Sequence, residues 1–147
     1  MPELKESVVI KQSIDTVYKA IKSFSFSKFA SSIKGVELIK REGNKATTQW
    51  IVDFDGSPFR WMQEDVFDDE NKIIVFRMTE GDFHIYTGEW RLKALDLDRV
   101  KVEITAYFNW GVPNLEKYVG AMFSRKARKA LKGLLLSIKK NMERTEK

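Results

Sequence analysis

Apolar and polar residues alternate along most of the chain, and the alternation breaks at short runs of Gly, Pro, Asp and Asn. In 99–110, Val100, Val102, Ile104, Ala106 and Phe108 share one parity, while Lys101, Glu103, Thr105 and Tyr107 share the other. That is the period of a strand with one buried and one wet face. The same reading predicts strands over 5–12, 36–41, 46–55, 59–67, 73–79 and 83–95. Residues 42–45, 56–58, 68–71, 81–82 and 96–98 supply the turns between them.

Elsewhere the period becomes helical. Ser13 is placed to cap a helix over 14–22, with Val17, Ala20, Ile21 and Phe24 at helical spacing. Residues 25–32 read as a shorter helix or turn, with Phe26, Phe29 and Ala30 on one side. After Gly111-Val112-Pro113, Asn114 is placed to cap a long helix reaching about residue 144. Its apolar stripe runs through Val119, Met122, Phe123, Ala127, Leu131, Leu134, Leu135, Ile138 and Met142. The order β-α-α-β6-α predicts an α+β fold, a curved antiparallel β-sheet wrapped around a long C-terminal helix. The 147 residues show no repeat, linker or low-complexity tract, so one domain over 1–147 is expected.

Charge is unevenly shared. The net charge is +5. From Leu115 to Lys147 there are ten Lys or Arg against three acids, a net +7, which leaves −2 for the rest. The basic face of the last helix holds Lys117, Arg125, Lys126, Arg128, Lys129, Lys132, Lys139 and Lys140. It reads as a solvated face, as a contact for anionic lipid, or as a contact for RNA phosphates. The absence of Cys removes disulfides, thiolate nucleophiles and Cys-ligated metals, and a single His removes multi-His metal sites. No cofactor or metal is expected. No apolar run approaches ~18 residues, so no integral membrane insertion is expected. The charged start Met1-Pro2-Glu3-Leu4-Lys5-Glu6 lacks a secretion signal's apolar core, which predicts a cytoplasmic protein.

Parity also nominates the chemistry. Phe59, Trp61, Gln63, Asp65 and Phe67 share one face, and its aromatics point that face inward. Gln63 and Asp65 then enter apolar space. His84 shares parity with Tyr86, Gly88 and Trp90. A buried polar group without a partner costs roughly 1–3 kcal/mol, so these groups need each other, water or a ligand. Asp65 or His84 could serve as an acid or base. Alternatively Asp65 caps a turn or pairs with Arg, and His84 is solvated at a strand end. Trp50, Trp61, Phe76, Tyr86, Trp90, Phe108 and Trp110 either line a pocket or fill a core. Met78 and Met122 are adaptable liners or gap fillers. Gly88 beside Trp90 suggests inner space or a bend in the sheet.

Four segments carry a family resemblance. Ser13-Ile14-Asp15-Thr16-Val17-Tyr18, Phe54-Asp55-Gly56-Ser57-Pro58-Phe59-Arg60-Trp61, Gly88-Glu89-Trp90-Arg91-Leu92 and Phe108-Asn109-Trp110-Gly111-Val112-Pro113 occur in that order. The chain resembles the START-like superfamily (SRPBCC), the polyketide cyclase/dehydrase and lipid-transport proteins of helix-grip fold. The resemblance implies a hydrophobic cavity between the sheet and the C-terminal helix. The expected ligand-facing set is the aromatics above with Gln63, Asp65, Met78 and His84, joined by Val119, Met122 and Phe123. The expected function is binding or transport of a small hydrophobic ligand, a lipid, quinone or polyketide-like molecule. The alternatives are a cyclase/aromatase-type enzyme using Asp65 or His84, and a ribosome-associated module using the basic helix face.

Overall fold

Among the described residues, alternating positions form seven strands and helical-period positions form two helices. The computed structural model describes residues 3–23, 33–54, 57–81, 85–109 and 113–144; the side chains of 54, 57, 113–123 and 144 lie outside that description. The strands are β1 (Glu3–Ile10), β2 (Ile33–Glu42), β3 (Lys45–Phe54), β4 (Ser57–Asp68), β5 (Ile73–Gly81), β6 (Ile85–Asp96) and β7 (Arg99–Asn109). The helices are α1 (Ile14–Lys22), between β1 and β2, and α2 (Pro113–Arg144) at the end. The segment 25–32, expected as a short helix or turn, falls outside the described residues.

All neighbouring strands pair antiparallel in the order β1-β7-β6-β5-β4-β3-β2. β2 to β7 form a meander, and β1 closes onto β7. Helix α2 touches β1, β3 and β7. β1 and β3 stand five places apart in the sheet order, or about 24 Å in a flat sheet at ~4.8 Å per strand. A helix ~10 Å across reaches both only because the sheet curls around it. This is the α+β, helix-grip arrangement. Ala127, Leu131, Leu134, Leu135 and Ile138 of α2 are buried on the concave face, opposite Val100, Val102, Ile104, Ala106 and Phe108 of β7.

Local chemistry sets the ends. Ser13 caps α1: its Oγ accepts from the Thr16 N–H at 3.2 Å. Helix α2 begins at Pro113, one residue before the Asn114 expected to cap it. Proline has no N–H to leave unpaired, and its fixed φ suits a first helical position. β1 stops at Ile10, two residues short of the sequence-based range, because residues 11–12 turn towards the end of α2. There the Lys11 N–H donates to Glu143 Oε2 at 2.9 Å, and Gln12 Nε2 donates to the Met142 carbonyl at 3.0 Å. Tyr18 Oη and Lys22 Nζ both donate to Asp69 Oδ1, at 2.8 and 2.9 Å, and join α1 to the β4–β5 turn.

The basic face of α2 is partly spent on the sheet edge. Lys132 Nζ donates to the Ser7 carbonyl at 3.0 Å and Lys139 Nζ to the Val9 carbonyl at 2.9 Å. Glu6 lies 3.9 Å from Arg128 and 4.0 Å from Lys132. These cations cover backbone acceptors that an edge strand would otherwise leave open to another chain. No helix among the described residues is long and apolar enough to cross a membrane.

Gly88 sits where β5, β6 and β7 pass side by side, paired with Phe76 on one flank and Ala106 on the other. A Cβ at Gly88 would lie 2.0 Å from the Thr105 carbonyl oxygen and 2.7 Å from Phe76 Cζ. The place of a Gly88 side chain is therefore taken by the Thr105 carbonyl and the Phe76 ring.

Candidate functional site

β3 and β4 supply the centre of the concave face. Their register sets Trp50 opposite Trp61, Thr48 opposite Gln63 and Ala46 opposite Asp65. Alternation turns all six inward, and all six are buried. The two indoles stack, with ring centroids 6.0 Å apart and planes within 3°. Tyr86 meets Trp61 edge-on at 5.1 Å and lies 4.7 Å from Phe108 and 5.2 Å from Phe76. Such offset and edge contacts suit the ring quadrupoles.

Between this aromatic floor and α2 lies a pocket. Trp50, Trp61, Gln63, Phe76, Tyr86, Trp90 and Phe108 line it with Ile33, Val52 and Ile104, and Ala130, Leu131 and Leu134 face them from α2. The space open to the centre of a water molecule is about 30 Å³, room for a water or two. Asp65 and Met78, expected among the ligand-facing residues, do not line it. Asp65 lies two positions beyond Gln63 along β4, and Met78 is only partly buried beside the core. His84 and Trp110, and the side chains of Val119, Met122 and Phe123, fall outside the described residues.

The buried polar groups satisfy one another. Trp50 Nε1 donates to Thr48 Oγ1 at 2.8 Å, and Thr48 Oγ1 donates to Asp65 Oδ2 at 2.7 Å. Trp61 Nε1 donates to Gln63 Oε1 at 2.7 Å, and Gln63 Nε2 donates to Asp65 Oδ1 at 2.6 Å. Among the described residues no buried side-chain nitrogen or oxygen lacks a partner. Asp65 thus takes its hydrogen bonds from Thr48 and Gln63, and Arg41 acts on it through its charge. Thr48 escaped the sequence reading, although its parity with Trp50 and Val52 placed it inward.

Burial pushes the Asp65 carboxyl up to about 6, against the hydrogen bonds from Thr48 and Gln63 and the positive charge of Arg41. Burial, and then the charge of Asp65, also holds the Tyr86 phenol above its ordinary value. A carboxyl in that range could exchange a proton near neutral pH, but among the described residues Gln63, with its amide, and Tyr86, with its hydroxyl, line the pocket and Asp65 does not.

Thr48→Val keeps the shape and strand preference of the side chain but removes one acceptor and one donor. It is expected to cost about 2 kcal/mol, two buried hydrogen bonds at roughly 1 kcal/mol each, read as a lower urea midpoint at unchanged slope. A loss under ~0.5 kcal/mol would mean that the network contributes nothing beyond shape.

Comparisons with known proteins follow the same outline. The sequence model of the family described as polyketide cyclase/dehydrase and lipid transport matches residues 10–135. Among solved structures, TTHA0849 from Thermus thermophilus superposes with a TM-score of 0.92 at 22% identity, over 99% of this chain and 100% of that one. Zhui aromatase/cyclase from Streptomyces sp. R1128 gives 0.89 at 16% identity, over 99% and 96%. A START superfamily protein from Mycobacterium smegmatis gives 0.69 at 18%, over 90% and 96%. At these identities the likeness to each structure is one of fold. No curated protein matches the chain.

Proposed function

The chain belongs to the polyketide cyclase/dehydrase and lipid transport family, and from that premise we propose that it binds a small hydrophobic ligand in the cytoplasm, as a single domain. The ligand is of lipid, quinone or polyketide-like kind, held between the concave sheet face and α2. One observation carries the reading: stacked and edge-on aromatic rings converge on a pocket whose wall holds one amide, Gln63. Apolar walls with a few placed polar groups are the usual make-up of a small-molecule site.

A drug-sized ligand needs on the order of 300 Å³ or more, far beyond the about 30 Å³ between the described residues. Binding on this reading therefore displaces side chains or shifts α2 against the sheet. Burial of apolar surface at about 25 cal/mol per Å² supplies the driving force. A cyclase-type enzyme is the second reading, and the carboxyl of Asp65 near 6 is what favours it. It ranks second because Asp65 does not line the pocket. A contact of the basic α2 face with anionic lipid or RNA stays outside the proposal, since Arg128, Lys132 and Lys139 already serve β1 and Glu143.

Organic extraction of the purified protein followed by mass spectrometry should release a hydrophobic small molecule. In a thermal-shift screen, a true ligand at 100 times its dissociation constant should add about 2.7 kcal/mol, roughly 5–10 °C for a domain of this size. An empty extract together with no shift across lipid, quinone and polyketide-like libraries would sink the reading.

A further inference from the structure

Gln63 is held from two sides, and the way it is held determines what the pocket wall offers. An indole N–H can only donate. Trp61 Nε1 lies 2.7 Å from one end of the Gln63 amide, so that end is the carbonyl oxygen. The NH₂ end then faces Asp65 Oδ1 at 2.6 Å. Turning the amide over would set N–H against N–H at Trp61 and carbonyl against carboxylate at Asp65. The other arm of the network is polarised alike. Thr48 Oγ1 accepts from Trp50 Nε1, so its own hydrogen goes to Asp65 Oδ2. Both neighbours of Asp65 thus donate to it, and on the Gln63 side the donor-only indole fixes the direction.

Each amide atom has capacity beyond these bonds, a second hydrogen on Nε2 and a second lone pair on Oε1. Among the described residues Gln63 has no further hydrogen-bond partner. It lines the pocket, while its partner Asp65 does not. Among the described residues the other lining side chains are aromatic or aliphatic, and of these Tyr86 carries a hydroxyl.

We propose that Gln63 is a specificity-determining residue of the pocket and selects a neutral, largely apolar ligand that carries a carbonyl or hydroxyl group. The spare N–H would meet a carbonyl oxygen, and the spare lone pair would meet a hydroxyl hydrogen. A carboxylate head group is disfavoured, because the acceptor oxygens of Asp65 sit directly across the amide. This rests on the reading of the pocket as a hydrophobic ligand site.

Three probes of one shape test it: 2-acetylnaphthalene, 2-ethylnaphthalene and 2-naphthoate, titrated at pH 8 against quenching of tryptophan fluorescence. The acetyl compound is expected to bind about three- to tenfold tighter than the ethyl compound, the range of one neutral hydrogen bond. Naphthoate should bind more weakly than either. In Gln63→Leu the preference for acetyl over ethyl should vanish. That variant also strips Asp65 of a donor, so a second measurement uses the wild-type protein. The carbonyl stretch of bound 2-acetylnaphthalene should fall below its value in hexane, and its methyl group should show a nuclear Overhauser effect to the Gln63 side-chain NH₂. Equal affinity of the wild type for the acetyl and ethyl probes would overturn this inference and leave the hydrophobic site standing. An unchanged preference in Gln63→Leu would overturn the assignment to this residue. Naphthoate binding as tightly as the acetyl compound would overturn the neutral class. Failure of all three to bind would overturn the hydrophobic site, and this inference with it.

Discussion

Gly88→Ala is expected to cost more than ~4 kcal/mol, the range reached only by severe overpacking or buried unpaired groups, and to leave most of the chain unfolded or insoluble at 37 °C. The added methyl would stand 2.0 Å from the Thr105 carbonyl oxygen, 2.7 Å from Phe76 Cζ and 3.0 Å from Ala106 Cα. A ring can swing aside, but two of these three neighbours are backbone of β7. To relieve them β6 must move off β7, and those strands pair from Ile85 to Asp96. Well-packed interiors transmit such a shift rather than absorb it. Urea unfolding of Gly88→Ala alone and combined with Phe76→Leu separates the two causes. If the carbonyl dominates, trimming the ring restores nothing. Recovery in the double variant would mean that the ring, not the strand, sets the limit.

The same position shows where sequence reasoning stops. A glycine inside an alternating strand says that a side chain is unwelcome there. It does not say whether space or backbone takes its place, because the neighbours come from β5 and β7 through register. Strand parity was legible wherever one face is wet: Val100, Val102, Ile104, Ala106 and Phe108 are all buried, as their alternation with Lys101, Glu103, Thr105 and Tyr107 predicts. Helix α1 was legible because Ser13 caps it and Val17 and Ile21 share its buried side. Strand ends were less so. β2 starts at Ile33, three residues before its expected range, because Ile33 finds Val52 across an irregular register.

The site was half legible. Parity put Gln63 and Asp65 inside, but their partner Thr48 reads as an ordinary polar strand residue until β3 and β4 are laid side by side. The basic face of α2 read as one surface. Its pairing with Glu6, Ser7 and Val9 depends on a contact between the two ends of the chain, which no local pattern encodes.

Stability should fall as pH rises from about 4 to about 7, the reverse of the trend set by most carboxylates, and Asp65 is the reason. Its carboxyl is raised from 3.8 to about 6 chiefly by burial. Between those values the folded chain holds a proton that the unfolded chain has released, so protonation favours the fold. The contribution is full below the unfolded value and is lost as pH climbs through about 6. At ~1.36 kcal/mol per pH unit, it amounts to about 3 kcal/mol. Asp68, Asp69, Asp96 and Glu143 work the other way. Hydrogen bonds, from Asn71 to Asp68, Lys22 to Asp69, Arg99 to Asp96 and Lys139 to Glu143, hold each below its ordinary value. Their stabilisation is present above the unfolded values and is lost as pH falls through the folded ones, on the acid side of the Asp65 window. The two directions together put the stability maximum near pH 4–5. Urea unfolding at half-unit steps from pH 4 to 8 should show the decline in the wild type and its disappearance in Asp65→Asn, which cannot ionise. Equal slopes in the two proteins would rule out Asp65 as the titrating group. A chain that carries this cost at neutral pH gains from it one thing visible in the fold: an acceptor at both oxygens that keeps Thr48 and Gln63 each donating inward, and so keeps the Gln63 amide in a single orientation at the pocket wall.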